Sequence, residues 1–320
     1  MQEIRVRDEE VYRFLGRTDA NILHSVEAMM KPISKATDMW TKTLEEESHM
    51  KLLKWLSLTP HARHHEEISE RRTPNFGGWL LRHANYVDWY NSSSSSTLLL
   101  HGITGSGKTH LCSVIIDSIL TAARAQASAA PFAYFYCLDI ESEPERASPD
   151  EVLRSILRQL TVNGIRPFTV RDSLMSEYQR RLAKARVMAM DLPKLKPKEC
   201  VGLILKQADN EPLTIVVDAV DEIRERDRHV LLQALNDIVT KASNVVKVFV
   251  TSRNSSHILD ALQSSKRISI TSDETHTDME AFIREKIDNA VSQRRLLDGN
   301  VSLDFKRELL DTLLHGVGEM

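Results

Sequence analysis

Residues 102–109 read Gly102-Ile-Thr-Gly105-Ser-Gly107-Lys108-Thr109, which matches the pattern G-x-x-x-x-G-K-[ST]. Glycines in this pattern let the backbone curl so that successive N–H groups point at phosphate oxygens, and the positive end of the following helix adds to the attraction. The lysine is placed to reach the β- and γ-phosphates, and the threonine hydroxyl to ligate Mg²⁺. The sequence therefore predicts a nucleotide-binding loop that consists of Gly102, Ile103, Thr104, Gly105, Ser106, Gly107, Lys108, Thr109 and His110.

The residues on either side of this loop support the same interpretation. The run Thr97-Leu-Leu-Leu-His101 precedes the loop and is typical of a buried strand. A helix is predicted from Lys108 to Leu120, because apolar residues recur on one face at Leu111, Val114, Ile115 and Ile119. A strand, this loop and a helix in that order form the supersecondary unit in which the pattern binds phosphate.

Short apolar runs alternate with amphipathic segments over the rest of the central chain. Nearly continuous β-branched runs are typical of strands that are covered on both faces. We therefore expect an α/β fold, a three-layer αβα P-loop NTPase with a mostly parallel five-stranded sheet. Besides the units around the loop, strands are predicted at 132–138, 213–217, 245–250 and 267–270, helices at 151–160 and 229–241, and rim helices within the basic stretch 161–200.

Three regions are predicted along the chain. Residues 1–58 form a helical N-terminal segment or connector, a reading favoured over a membrane-active or self-assembling segment. Residues 59–272 form the NTPase core, and residues 273–320 begin a helical domain, because their apolar periodicity is helical only. Within the first region, a second helical run ends at Pro60 and contains Trp40, Leu44, Met50, Leu53, Trp55 and Leu56.

Acidic residues follow the predicted strand at 213–217. Asp218 ends the strand, where a carboxylate completes a magnesium shell, and we expect it to share the ion with Thr109. Asp221 and Glu222 come three and four residues later and are candidates to polarise an attacking water. We favour Asp221 as this base, with Glu222 as the close alternative.

The predicted strand at 245–250 is followed by Thr251-Ser252-Arg253. Strands of a parallel sheet end at a common edge, so Arg253 is expected near the terminal phosphate. A guanidinium there senses or stabilises the charge of the γ-phosphate.

The histidine-rich segment His61-Ala-Arg-His-His-Glu-Glu67 raises the question of a metal site. No second cluster in the sequence supplies the remaining ligands that zinc requires. We therefore expect a solvated or nucleotide-proximal loop.

The overall composition excludes several classes of protein. A net charge of −3 provides no basic footprint for nucleic acid, and no apolar run is long enough for a membrane span. Three cysteines without C-x-x-C spacing favour neither disulfides nor structural zinc, and they fit a reduced, cytoplasmic setting: Cys112, Cys137 and Cys200.

The three motifs, in this order, resemble the NACHT family of signal-transduction NTPases within the STAND class, and especially the fungal NOD-like receptors that carry ankyrin or WD repeats. The quoted motifs are HGITGSGKTHL at 101–111, VVDAVDEI at 216–223 and VFVTSR at 248–253. Flanking signatures of the family are matched by Trp55-Leu-Ser57, His64-His65-Glu66, Gly77-Gly-Trp79-Leu-Leu81, Trp89 and the helix DEVLRSILRQL at 150–160.

The resemblance implies a regulatory switch that binds ATP or GTP with Mg²⁺, hydrolyses it slowly and self-oligomerises in the full-length protein. No N-K-x-D guanine signature is present, and ATP is favoured. Two alternatives use the same loop. A small-molecule kinase would need a basic lid, for which Arg166, Arg171, Arg180, Arg181, Lys184 and Arg186 are available, and an AAA-type motor would respond to DNA.

Overall fold

A parallel five-stranded sheet forms the centre of the molecule, with strand order β2-β3-β4-β1-β5. The structure is a computed structural model that describes residues 42–125, 130–163 and 168–318. The strands are β1 Ser96–His101, β2 Phe132–Tyr136, β3 Leu213–Asp218, β4 Val246–Ser252 and β5 Lys266–Ser269. The predicted parallel sheet in a three-layer αβα fold is confirmed.

The helices lie on both sides of the sheet and at the two ends of the described chain. α1 is described from residue 42 to residue 56. The others are α2 His61–Glu70, α3 Gly78–Arg82, α4 Ala84–Asn91, α5 Lys108–Ala125, α6 Pro149–Asn163, α7 Phe168–Met188, α8 Pro197–Ala208, α9 Glu225–Lys241, α10 Ser256–Ala261, α11 Ser272–Ser292 and α12 Leu303–Gly318. Across these described residues no helix is both long and apolar enough to cross a bilayer.

The core lies between the sheet and the helices, where the apolar runs of the sequence are buried. Leu98, Leu99 and Leu100 of β1 are fully buried, as the continuous apolar run predicts. The predicted face of α5 is buried as well, at Leu111, Val114, Ile115 and Ile119. Together these residues hold β1 and α5, and therefore the loop between them, in a fixed relation.

The edge strand β2 is protected by a side chain of α6. The Gln159 amide donates to the Tyr134 carbonyl at 2.8 Å and its oxygen accepts from the Tyr134 N–H at 3.0 Å. The bonds satisfy the open backbone groups that an edge strand otherwise presents to another chain. α6 begins with Pro149, Asp150 and Glu151, a proline and two acids that suit a first helical turn.

The backbone divides into two compact units, with the boundary between Lys54 and Trp55. The predicted region boundaries at 58/59 and 272/273 stay predictions. α11 and α12 carry a small apolar cluster of their own around Ile283, Ile287 and Leu310. Residues 272–292 and 303–318 are helical, which agrees with the predicted periodicity, and residues 293–302 connect these two helices.

One expectation for the N-terminal residues is corrected. The segment 61–67 is part of helix α2 and not a loop, and its His64 and His65 are buried. In α1, Leu44 and Met50 are exposed, whereas Leu53, Trp55 and Leu56 are buried. Trp40 and the rest of residues 1–41 lie outside the described residues.

Candidate functional site

The predicted loop connects β1 to α5 and turns through two left-handed glycines. Gly105 and Gly107 both have φ of +82°, which residues with a side chain rarely adopt. A turn closes where the Ser106 N–H donates to the Ile103 carbonyl at 3.3 Å. A Cβ on Gly105 would meet nothing within 4 Å, so the backbone there faces open space that a ligand can enter.

Lys108 folds back over the loop that carries it. Its Nζ donates to the Gly102 carbonyl at 3.0 Å and to the Ile103 carbonyl at 2.6 Å, with Ser106 Oγ at 3.4 Å. Burial lowers the pKa of the lysine, and the nearby Asp221 and Asp218 oppose this effect. The ammonium is therefore held by neutral oxygens, which anionic phosphate oxygens can replace.

Asp218 ends β3 and is 1% exposed. Its Oδ1 accepts from Thr251 Oγ1 at 2.5 Å, and its carboxylate also accepts a hydrogen bond from the Thr109 side chain. Burial raises the pKa of Asp218 to about 6, against the lowering effect of these two hydroxyl donors. The two predicted magnesium ligands, Asp218 and Thr109, are thus direct neighbours.

A strained turn follows Asp218 and presents the next two acids. Ala219 has φ of +52°, a left-handed conformation that costs about 1–2 kcal/mol for a residue with a Cβ. Its N–H donates to Thr251 Oγ1 at 2.8 Å, which fixes the turn to β4. The 3₁₀ turn Val220–Glu222 comes directly after it.

Arg253 joins both of these acids at the end of β4. Its Nε lies 3.0 Å from Asp221 Oδ2, and its backbone N–H donates to Asp221 Oδ1 at 3.0 Å. Its Nη2 pairs with Glu222 Oε1. The three residues predicted to carry hydrolysis and phosphate sensing therefore form one cluster.

One cleft of about 350 Å³ collects most of the predicted residues. Asp218 lies in an adjoining cleft of about 300 Å³, which shares Thr109, Ala219 and Glu222 with the first. The predicted residues Gly102, Ile103 and Ser106 do not line either cleft. The lining of the first cleft consists of Thr104, Gly105, Gly107, Lys108, Thr109, His110, Ala219, Asp221, Glu222 and Arg253.

The residues present fit a triphosphate with Mg²⁺. Hard oxygen ligands are available at Thr109 and Asp218, and Mg²⁺ usually takes one or two carboxylates plus waters and substrate phosphates. Within the described part of the chain no group of three or more His, Cys, Asp or Glu residues is placed to hold a metal ion without such a substrate.

The sequence did not point to Arg228, which supports the acidic turn from α9. Its Nη2 donates to the Asp221 carbonyl at 2.6 Å and to the Ile223 carbonyl at 3.0 Å. An arginine in the first turn of a helix is common, so only the folded structure reveals this contact.

A second missed contact involves the segment before α3. The Gly77 N–H donates to Asp278 Oδ2 of α11 at 2.8 Å. Gly77 has φ of +75°, and a Cβ there would lie 2.9 Å from Leu111 Cδ2 on α5. The glycine therefore lies close to the helix of the phosphate loop and is tied to α11.

Several solved structures resemble the chain at low identity. A chain of the Drosophila ORC bound to DNA matches with TM-score 0.39 and 13% identity over 83% of this chain and 59% of that one, so the chain spans less than two thirds of its length. The Aeropyrum pernix ORC1 protein in complex with DNA gives TM-score 0.40 and 14% identity over 81% and 69%. Domain III of the Thermotoga maritima replication initiation protein DnaA gives TM-score 0.39 and 11% identity over 77% and 95%. No curated protein sequence matches the chain.

The sequence model of one protein family, described as Nephrocystin 3, N-terminal, matches residues 75–253. The match covers more than half of the 320 residues and includes the loop, the acidic turn and Arg253. The chain thus belongs to the Nephrocystin 3 N-terminal family and is a P-loop NTPase of the NACHT/STAND type.

Proposed function

We propose that the chain binds a nucleoside triphosphate, preferably ATP, with Mg²⁺, hydrolyses it slowly and acts as the regulatory switch of an NLR-like receptor. The observation that carries this proposal is the cleft in which Lys108 and Thr109 face Asp221, Glu222 and Arg253. A single cleft with phosphate ligands on one side and acids on the other suits a water nucleophile.

Binding rests on the backbone N–H groups of residues 104–109 and on Lys108. The Lys108 ammonium exchanges the Gly102 and Ile103 carbonyls for phosphate oxygens, which are stronger acceptors because they are charged. Thr109 and Asp218 would hold Mg²⁺, which supplies charge neutralisation of the phosphates when it is bound.

Slow turnover follows from the pairing of the acids. Asp221 has both carboxylate oxygens engaged by Arg253, and Glu222 meets the same guanidinium through one oxygen. Either acid has to be released from Arg253 before it can accept a proton from water, and we propose that this requirement keeps turnover slow. We propose Asp221 as the base with Glu222 as the alternative, and a rate on the order of 10⁻³ s⁻¹ or below, as in unassisted switch GTPases.

Arg253 is the residue through which the nucleotide would set the state of the protein. A γ-phosphate competes with Asp221 and Glu222 for the guanidinium, whereas a diphosphate leaves the ion pairs in place. A ligand shifts an equilibrium only through such differential contacts. The contact between Gly77 and Asp278 offers a path to α11 in the C-terminal helices.

The experiment that tests the switch compares two nucleotide states of the whole chain. Hydrogen exchange is measured across α11 and residues 219–223 with ADP and with a non-hydrolysable ATP analogue, and γ-phosphate release is timed in a single turnover. We expect exchange to differ between the states and release to take minutes or longer. Identical exchange in both states would refute the switch, and release on the millisecond scale would refute slow turnover.

The alternatives are separated by further observations. Arg180 and Arg181 of α7 pair with Glu177, and Arg181 also pairs with Glu199, so these two arginines of the conceivable kinase lid are engaged elsewhere. An AAA-type motor is distinguished by DNA, which would stimulate its hydrolysis and which the switch ignores. The described cysteines are buried free thiols, which fits the cytoplasmic location that we propose. Self-oligomerisation of the full-length protein also belongs to this proposal.

A further inference from the structure

A hydrogen-bonded network of polar side chains connects α2, α5 and β2 behind the phosphate loop. His65 belongs to the histidine-rich segment 61–67, and Arg72 follows this segment. The proposed function assigns no role to the segment. The network consists of His65 from α2, Arg72 from the turn after α2, Ser113 and Asp117 from α5, and Tyr136 from β2.

His65 lies at the centre of this network and is buried. Its Nε2 lies 3.0 Å from Asp117 Oδ1, and its Nδ1 lies 2.8 Å from the Tyr136 hydroxyl. A carboxylate only accepts hydrogen bonds, so Nε2 carries the proton in the neutral ring and Nδ1 accepts from the Tyr136 O–H. The imidazole thus links a helix to a strand through one donor and one acceptor.

Arg72 forms hydrogen bonds to the same face of α5, nearer to the phosphate loop. Its Nη2 donates to Asp117 Oδ2 at 2.6 Å, and its Nη1 donates to Ser113 Oγ at 2.7 Å. Ser113 Oγ in turn donates to the His110 carbonyl at 2.7 Å. Positions 110, 113 and 117 share one face of a helix, so α2 and Arg72 hold the first three turns of α5.

The two ends of this side-chain network lie next to the two predicted magnesium ligands. At one end, His110 directly follows Thr109 in the first turn of α5. At the other end, Tyr136 pairs in parallel register with Asp218 on β3 and lines the same cleft. A change in the His65 contacts therefore shifts the Thr109 hydroxyl relative to the Asp218 carboxylate.

We propose that His65 and Arg72 are positioning residues that fix the separation of Thr109 and Asp218 for Mg²⁺. This inference rests on the proposed function, because it assigns a role toward the ion of that same site. Neither residue lines the phosphate-loop cleft, so both act through α5 and β2. Their loss weakens the contribution of Mg²⁺ to nucleotide binding more than it weakens binding of the nucleotide alone.

The measured quantity is the magnesium enhancement, the ratio of the dissociation constants of a fluorescent ATP analogue in EDTA and in Mg²⁺. In His65→Leu we expect the enhancement to fall about tenfold while the affinity in EDTA changes less than twofold. His65→Gln should recover most of the enhancement, because an amide presents one donor and one acceptor. Tyr136→Phe, which keeps the α2–α5 contacts and loses only the link to β2, should show an intermediate loss.

The matched control is Arg63→Gln on α2, whose exposed side chain pairs with Glu67 in the same helix. We expect it to keep the wild-type enhancement. Thermal unfolding of each variant is recorded, and if His65→Leu does not fold, Tyr136→Phe and Arg72→Lys carry the test.

Two results separate the possible failures. An unchanged enhancement in folded His65→Leu overturns the inference. This includes an equal loss of affinity in EDTA and in Mg²⁺, which leaves the ratio unchanged and is the result that a general structural effect on the loop gives. Lys108→Ala is measured alongside. If it binds nucleotide as well as wild type, the proposed function itself fails, whereas its loss of binding together with a normal enhancement in His65→Leu refutes the positioning role alone.

Discussion

Replacing Asp218 by asparagine is expected to stabilise the nucleotide-free protein while removing a predicted magnesium ligand. The side chain is 1% exposed, and burial raises its pKa from 3.8 to about 6. An asparagine at this position is neutral at every pH and keeps one oxygen, which can still accept from Thr251. The substitution therefore removes a charge that is costly to bury and keeps the hydrogen bond from Thr251.

The magnitude follows from the two pKa values. A folded-state pKa about two units above the unfolded value corresponds to about 3 kcal/mol of lost stability when the carboxyl is ionised. The unfolded carboxyl ionises from pH 4 upward, whereas the folded one resists until about pH 6, so the cost grows between these values and is complete above them. We expect asparagine to recover about 1 to 3 kcal/mol above pH 6, because its amide NH₂ does not reproduce the contacts of the second carboxylate oxygen.

Thermal unfolding of nucleotide-stripped protein in EDTA measures this effect. At pH 8, Asp218→Asn should unfold several degrees above wild type, and the difference should shrink as the pH falls toward 4. Asp311→Asn, at an exposed position on α12, is the matched control and should leave the midpoint unchanged at both pH values. The reasoning is refuted if Asp218→Asn unfolds at or below the wild-type temperature at pH 8, or if the difference is the same at both pH values.

Three further predictions concern the cleft that Gly107, Asp221 and Arg253 line. Gly107→Ala should lower both the unfolding temperature and the nucleotide affinity, because φ at this position is +82° and the new Cβ would lie 3.1 Å from Phe76 Cζ. If an added Phe76→Ala restored both quantities, backbone strain would not be the cause. Asp221→Asn should retain nucleotide binding and lose phosphate release in a single-turnover assay, whereas release that persists there and disappears in Glu222→Gln would move the base to Glu222. Arg253→Ala should weaken ATP binding about tenfold and ADP binding less than twofold by titration calorimetry, and equal losses would remove its role as a phosphate sensor.

The sheet and the loop could be predicted because their signals are local. Apolar runs of β-branched residues mark strands such as β3 and β4 without knowledge of their partners. Within the loop, the backbone adopts a positive φ at two of the glycines, Gly105 and Gly107. The common edge of a parallel sheet then places Asp218 and Arg253 near Lys108, as the structure has them.

The contacts between distant side chains could not be predicted in the same way. Segment 61–67 was expected to be a solvated or nucleotide-proximal loop, but it is helical in the folded chain, where His65 contacts the buried Tyr136 and His64 pairs with Glu143. The sequence placed Arg253 near a phosphate and gave no sign that Asp221 and Glu222 hold it in the absence of one. Such pairings depend on the separation of strands and turns, which no local pattern encodes.

The central claim is that residues 102–109 hold the phosphates of a nucleotide, and the affinity of Lys108→Ala for a fluorescent ATP analogue tests it most directly. The Lys108 ammonium lies among the loop carbonyls, at 2.6 and 3.0 Å, where phosphate oxygens would replace them. We expect binding to fall at least a hundredfold, while Lys184→Ala, at an exposed position of α7, binds as wild type. A Lys108→Ala protein that is folded and binds the analogue with wild-type affinity would contradict the account.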